Sequence, residues 1–386
     1  MKYRLLAPGP TPVPDRVLSI MARSIVHHRT PAFERIFADC IQGLKWVFQT
    51  DHDILALSCS GTGGFEAIFQ NFFSPGDTII NIGGGKFGER WGKMAQVFGL
   101  TVISMKIPWG DSVSSQAVLE ALQKHPETKA VVCVASETST GARHPYEQIG
   151  QEVKKLPHCL LIVDAITALG VWDIHPARDG IDILVSGSQK ALMLPPGLAF
   201  LSVSPKAWEF NSRSNMPRFY FDLAKERKAQ AKNQTAYTPA VSLMVGLQEA
   251  LLMMQEEGLQ NIFARHTRMA KATRAAMQAL GLSIFPKHPA DSLTAVCAPP
   301  HIKSNSVYTG LRDRANLTIA GGQEDLKGKI FRIAHLGYFD DLDILTVLSA
   351  LEIILRQEGY QDFEPGASIA AASQILEKGF TSPSAL

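Results

Sequence analysis

Short apolar runs recur through the first half of the chain and alternate with stretches of helical spacing. ILALS (54–58), TIINI (78–82), TVISMKI (101–107), AVVCVAS (130–136), LLIVDA (160–165), DILVSGS (182–188) and LAFLSVS (198–204) are rich in apolar and β-branched residues, which predicts seven strands. FEAIFQNFF and ERWGKMAQVFG, which follow the first two runs, read as helices. Strands apolar on both faces and separated by helices predict a mainly parallel sheet with helices on each side. Upstream, YRLLAPGPTPVP (3–14) holds four prolines and reads as an extended arm. Residues 15–50 have helical spacing, interrupted around His28–Pro31.

The rhythm stops near residue 205. Residues 206–235 are polar and aromatic, a long helix starts in 237–254, and SLTAVCA (292–298) and KIFRIAH (329–335) read as strands of a smaller α+β unit. The predicted fold class is therefore α/β, with a mainly parallel sheet of seven-stranded type and flanking helices plus a smaller C-terminal α+β domain. The expected divisions are an N-terminal arm (1–20), a large domain (21–255), a small C-terminal domain (256–360) and a tail (361–386). The tail is Ser/Ala-rich, so it is expected either to be loosely held or to dock late.

Composition narrows the class without naming a function. Hydrophobic residues make up 46% and charged residues 19%, and 38 Lys+Arg against 36 Asp+Glu leave a net charge of +2. No run of five like charges occurs, which demotes a nucleic-acid partner. No stretch of about 18 apolar residues predicts a membrane span, and no leader pattern opens the chain. Five widely spaced cysteines without a Cys-x-x-Cys read as reduced, buried thiols, so the expected location is cytoplasmic.

Four stretches carry chemistry. Ser60 to Gly64 (SGTGG) joins a strand to a helix, where backbone N–H groups favour an anion such as phosphate. No Gly-Lys-Ser/Thr follows, so a nucleotide triphosphatase is not expected. Gly83 to Gly88 (GGGKFG) carries Phe87, an aromatic suited either to core packing or to stacking on a flat ring. Asp164 ends an apolar strand and needs a cationic or donor partner: a protonated pyridine nitrogen suits it, and no nearby His/Asp cluster suggests a metal. Lys190 lies between two apolar strands, in SGSQKALMLPPG, where desolvation lowers its pKa and suits Schiff-base chemistry. Together these are the parts of a pyridoxal 5'-phosphate (PLP) site.

With those residues in hand, the chain resembles the class V, fold-type I PLP-dependent aminotransferases, most closely the alanine–glyoxylate and serine–glyoxylate (serine–pyruvate) group. The likeness runs from about Leu5 to Leu355. Its signature is LLIVDAITALG…GIDILVSGSQKALMLPPG (160–197), with LLAPGP (5–10), SGTGG, ETSTG (137–141), YTP (237–239) and GKIFRIAHLG (328–337) in order. The resemblance implies that Lys190 is the Schiff-base lysine and proton carrier, and that Asp164 is the partner of the pyridine nitrogen. It also implies that Gly61 and Thr62 hold the phosphate, that Gln189 and Thr138 are polar groups near the ring, and that Gly9 lies at the substrate. Phe87 falls where relatives place a tryptophan over the ring. Thr238 matches a residue that reaches the neighbouring subunit's cofactor, which implies a homodimer with shared sites. Arg332 matches the grip on the substrate α-carboxylate, and a guanidinium in an otherwise apolar strand suits that task.

The implied reaction is amino transfer between alanine or serine and glyoxylate or pyruvate. Cysteine desulfurase chemistry is disfavoured, because Gln189 stands where those enzymes carry a histidine. A phosphonate or phosphoserine aminotransferase would need further cations, for which His28 and Arg29 are the candidates. A non-catalytic subunit of a soluble hydrogenase is the rival from another class, and the filled cofactor positions speak against it. The terminal Ser384-Ala385-Leu386 lacks the basic middle residue of a peroxisomal address.

Overall fold

The computed structural model describes residues 2–380, so Ser384-Ala385-Leu386 lies outside the described residues. Along the chain come β1 (Arg4–Leu5), α1 (Asp15–Met21), α2 (Pro31–Phe48), β2 (Asp53–Leu57), α3 (Gly61–Phe72), β3 (Thr78–Gly83), α4 (Lys86–Val97) and β4 (Thr101–Lys106). Then follow α5 (Ser115–Lys124), β5 (Ala130–Val134), β6 (Ser136–Glu137), β7 (Ala142–Arg143), α6 (Tyr146–Val153), β8 (Leu160–Asp164), β9 (Ile183–Gly187) and β10 (Ala199–Val203). The seven predicted strands form one sheet in the order β2-β10-β9-β8-β5-β3-β4. All neighbours pair in parallel except β10, which is antiparallel to both β2 and β9.

Burial follows sheet position. Strands β3, β5, β8, β9 and β10 are buried at every residue, as strands covered on both faces should be. The edge strand β4 departs from the expected two-sided burial, with Thr101, Ser104 and Lys106 exposed. It has one neighbour, so polar residues protect its free edge. Parallel strands point their carboxyl ends to one side, which brings Asp164 (end of β8), the loop after β9, the α3 start and the α4 start to a common edge.

The remaining elements are α7 (Pro205–Asn211), α8 (Leu223–Gln230), α9 (Val241–Glu257), α10 (Leu259–Ala279), β11 (Leu293–Cys297), α11 (Ser304–Ala315), β12 (Leu317–Thr318), β13 (Ala320–Gly321), β14 (Ile330–Ala334), α12 (Asp341–Gln357) and α13 (Ala367–Leu376). Strands β11, β14 and β13 form an antiparallel sheet with β14 in the middle. The proline-rich arm is extended as predicted, and it is anchored: β1 pairs with β12, and the Ala334 N–H donates to the Leu6 carbonyl. The predicted helix interruption occupies 22–30, with Thr30 capping α2. Of the two alternatives for the tail, docking is what its described part does: Ser368, Ala372 and Leu376 of α13 are buried against the C-terminal helices.

Candidate active site

The Lys190 loop is rigid before it is reactive. Beyond β9, the Ser188 hydroxyl donates to the Pro195 carbonyl (2.8 Å) and accepts from the Leu198 N–H (3.2 Å), so Pro195-Pro196 folds back toward β10. The arm closes the loop from the other side. Thr11 donates its hydroxyl to the Lys190 carbonyl (2.9 Å) and its N–H to the Gln189 carbonyl (3.1 Å). Lys190 Nζ donates to the Pro8 carbonyl at 2.7 Å and, among the described residues, has no carboxylate in contact. Burial lowers its pKa to about 8, against a partial restoring pull from Asp164. Gly9 lies at φ +151°, a backbone conformation strained for any side chain, and an added Cβ would also displace the end of Lys190.

Asp164 is 4% exposed. Its Oδ2 accepts from Trp91 Nε1 and its Oδ1 from the Ile166 N–H, both at 2.9 Å. Those two donors do not offset burial, which pushes its carboxyl up to about 7. Trp91 is itself fixed, stacked on Phe65 at 3.8 Å between centroids and 8° between planes. Phe87, one helical turn before Trp91, lines the same cleft, with the Arg90 guanidinium 4.8 Å from its ring centroid.

At the α3 start, Ser60 caps the helix with extended backbone but no side-chain bond, and the first intrahelical bond runs from the Gly64 N–H to the Ser60 carbonyl. The N–H groups of Gly61, Thr62 and Gly63 are therefore outside the helical ladder, at its positive end. An added Cβ on Gly61 would run into Ile166. Ser60, Gly61, Thr62, Phe87, Thr138, Asp164, Gln189 and Lys190 all line one cleft.

Arg332 approaches from β14 and is 5% exposed. All its hydrogen bonds among the described residues go to backbone carbonyls: Nη1 to Thr138 (2.6 Å), and Nε and Nη2 to Gly321 (3.0 and 2.7 Å). Burial lowers its pKa to about 10, opposed by the charge of Glu137. A buried guanidinium with no carboxylate in contact is costly unless an anion arrives.

Three sequence-derived candidates lie elsewhere. Thr238 sits with Tyr220, Phe221 and Tyr237 in a separate cleft. His28 packs on His27 (4.7 Å between centroids), and Arg29 donates to Gln234 at 3.0 Å; neither lines the Lys190 cleft. Conversely, Trp91 and Arg90 line the cleft and were missed. Trp91 had a readable signal, because it follows Phe87 by four residues and shares its helix face.

The residues suit PLP by their own chemistry. Lys190 is a desolvated amine, Arg332 a buried cation without an acidic partner, and Gln189 Oε1 a buried acceptor with no partner among the described residues. With a helix start for phosphate and a carboxyl for the ring nitrogen, the fold and the cleft define a PLP-dependent enzyme. Residues 5–356 match the family model for aminotransferase class-V, and the chain belongs to that family. PLP is its cofactor and transamination its chemistry. Over 97% of its length the chain is 46% identical to the "Soluble hydrogenase, small subunit" of Synechococcus sp. (98% of that protein). It is 33% identical to the serine–glyoxylate aminotransferase of Methylorubrum extorquens (98% of this chain, 96% of that one). The ureidoglycine–glyoxylate aminotransferase of Bacillus subtilis superposes with a TM-score of 0.92 at 28% identity, covering 98% of both chains.

Proposed function

We propose that this enzyme moves an amino group from alanine or serine to glyoxylate or pyruvate. The observation that carries this reading is Arg332: a buried cation bonded only to carbonyls, beside the cleft that holds Lys190. The α-carboxylate shared by these donors and acceptors is the anion that completes it. The relatives named serine–glyoxylate aminotransferase point the same way.

PLP supplies an electron sink for the bond breaking at the substrate Cα. Lys190 Nζ takes the proton from Cα and returns it on the far side of the transfer. Asp164 holds a proton at the pyridine nitrogen, with Trp91 and the Ile166 N–H keeping its carboxyl in place. Gly61 and Thr62 hold the phosphate at the α3 start, Phe87 covers the ring and keeps water away, and Gln189 and Thr138 bind polar groups at the ring. Arg332 orients the carboxylate so that the Cα–H bond faces Lys190, and Gly9 leaves room for the substrate there.

In the same reading, 21–255 is the large cofactor domain, 256–360 the small domain, 1–20 the arm and 361–386 the tail. The working unit is a homodimer, with Thr238 reaching the partner's phosphate. Its support is the apolar lip beside Thr238, where Phe219 is 78% and Tyr220 50% exposed. No helix among the described residues is long and apolar enough to cross a membrane. We assign the enzyme to the cytoplasm on its five free cysteines. A phosphonate or phosphoserine specificity would need further cations, and within this subunit His28 and Arg29 do not line the Lys190 cleft. The name of the Synechococcus relative keeps a hydrogenase-associated, non-catalytic role as the second reading.

The test is a half-reaction screen. L-Alanine or L-serine should bleach the visible band of the PLP-loaded protein, and glyoxylate or pyruvate should restore it. A loaded protein that no amino acid bleaches would favour the non-catalytic role.

A further inference from the structure

Glu137 ends β6 and is fully buried, 0% exposed, one residue before Thr138. It does not touch Lys190, Asp164 or Arg332, and the mechanism above leaves it without a task. Its carboxylate is nevertheless saturated with donors. Oε2 accepts from the N–H groups of Phe87 (3.0 Å) and Gly88 (2.9 Å). Oε1 accepts from the Ser139 N–H (3.0 Å) and the Ser139 hydroxyl (2.6 Å). Burial pushes the Glu137 carboxyl up, and the four donors oppose that shift; four donors and no acceptor form the pattern of an ionised carboxylate.

These bonds tie together two halves of the cleft that are far apart in sequence. Phe87 and Gly88 lie in the first turn of α4, whose N–H groups have no intrahelical acceptor, so Glu137 caps that helix from another element. Ser139 extends the clamp by accepting from the Lys86 N–H at 3.0 Å. Gly85 makes room for it, since an added Cβ there would lie 2.5 Å from Glu137 Cγ and from Ser139 Oγ. On the other side, the turn is closed by the Gly141 N–H donating to the Glu137 carbonyl (2.8 Å), and the Thr138 carbonyl accepts from Arg332 Nη1. One rigid turn, 137–139, thus holds the start of the Phe87 helix by its side chains and the Arg332 guanidinium by its backbone. Its negative charge also opposes the desolvation of Arg332.

We propose that Glu137 is a positioning residue that sets the aromatic covering the cofactor ring and the arginine gripping the substrate carboxylate in fixed register. The inference rests on the roles given above to Phe87 and Arg332. Glu137→Gln keeps the size of the side chain, removes the charge and turns an acceptor into a donor facing N–H groups. The loaded variant should show a KM for alanine and for glyoxylate raised by about tenfold, the scale of one lost charge-assisted bond. The visible circular dichroism of its bound PLP should also change, a readout that needs no turnover. Ser139→Ala, which removes only the hydroxyl bonds, should shift both in the same direction by about threefold, and it decides the matter if Glu137→Gln does not fold. Loaded variants with wild-type KM and wild-type dichroism would overturn the proposal, as would a loss confined to thermal stability. Wild-type protein in the same assay tests the aminotransferase reading separately: if it transaminates and the variants match it, only the Glu137 inference fails.

Discussion

Two sets of buried or half-buried arginines in the C-terminal part of the chain are satisfied in opposite ways. Along α10, Arg265 pairs with Glu257 (2.6 Å), Arg268 with Asp341 (2.9 Å) and Arg274 with Asp291 (2.9 Å). Each ties the helix to a neighbouring segment and is complete within the protein. Arg332 on the central strand β14 is more deeply buried than these, yet meets only the carbonyls of Thr138 and Gly321. Carbonyl dipoles orient a guanidinium without neutralising it, so its charge stays available to an incoming carboxylate. The lysines divide likewise. Lys206 pairs with Asp182 (3.3 Å), whereas Lys190 is held by one carbonyl and shifted toward its reactive neutral form. In the proposed reading, a structural cation finds its counter-ion within the protein, and a cation kept for chemistry is left with dipoles.

The strongest way to break this contrast is at Lys190. Lys190→Ala should lower transamination by roughly a thousandfold or more, the scale of a lost general base, as read by steady-state turnover. Asp164→Asn should lower kcat by about a hundredfold, because a neutral amide no longer holds the proton on the ring nitrogen; unchanged kcat would remove Asp164 from the mechanism. The paired and carbonyl-bound arginines should then separate. Arg332→Gln should reduce kcat/KM by about 10–100-fold with little change in melting temperature. Arg268→Gln should leave kcat/KM within about twofold and destabilise the fold by about 1–3 kcal/mol, by stranding Asp341.

The lysine contrast has its own pH signature. With a pKa near 8, Lys190 is mostly protonated and unreactive below that pH and mostly free above it, whereas an ordinary lysine titrates near 10.5. Covalent capture of PLP by the apo-protein, trapped with borohydride, should therefore rise with pH through a midpoint near 8. A midpoint near 10.5 would show that burial does not shift the amine. A smaller loss of turnover than at Lys190 or Asp164 is expected at Trp91. Trp91→Phe keeps an aromatic against Phe65, loses the indole bond to Asp164, and should lower kcat by about tenfold.

Much of this arrangement was legible in the chain, because its signals are local. The seven apolar runs are the seven strands, and the places of Asp164 at the end of β8 and Lys190 just beyond β9 follow from where an apolar run meets a polar residue. What stayed hidden depends on long-range register. Glu137 reads as one acid in a polar loop until the β6–β7 turn places it against the α4 start, some fifty positions away in sequence. Two-sided burial of β4 failed because the sequence of a strand does not reveal that it will lie at an edge. His28 and Arg29 have suitable chemistry beside a helix break, but within this subunit neither lines the Lys190 cleft.

The claim that Arg332 is kept for a substrate carboxylate is tested most directly by comparing alanine with ethylamine, which lacks only the carboxylate. Both can be titrated against the visible band of PLP-loaded wild type, Arg332→Gln and Arg268→Gln. Wild type and Arg268→Gln should favour alanine by about a hundredfold, the scale of a desolvated bidentate charge pair, and Arg332→Gln should lose most of that preference. An Arg332→Gln enzyme that still prefers alanine as strongly as wild type would contradict it.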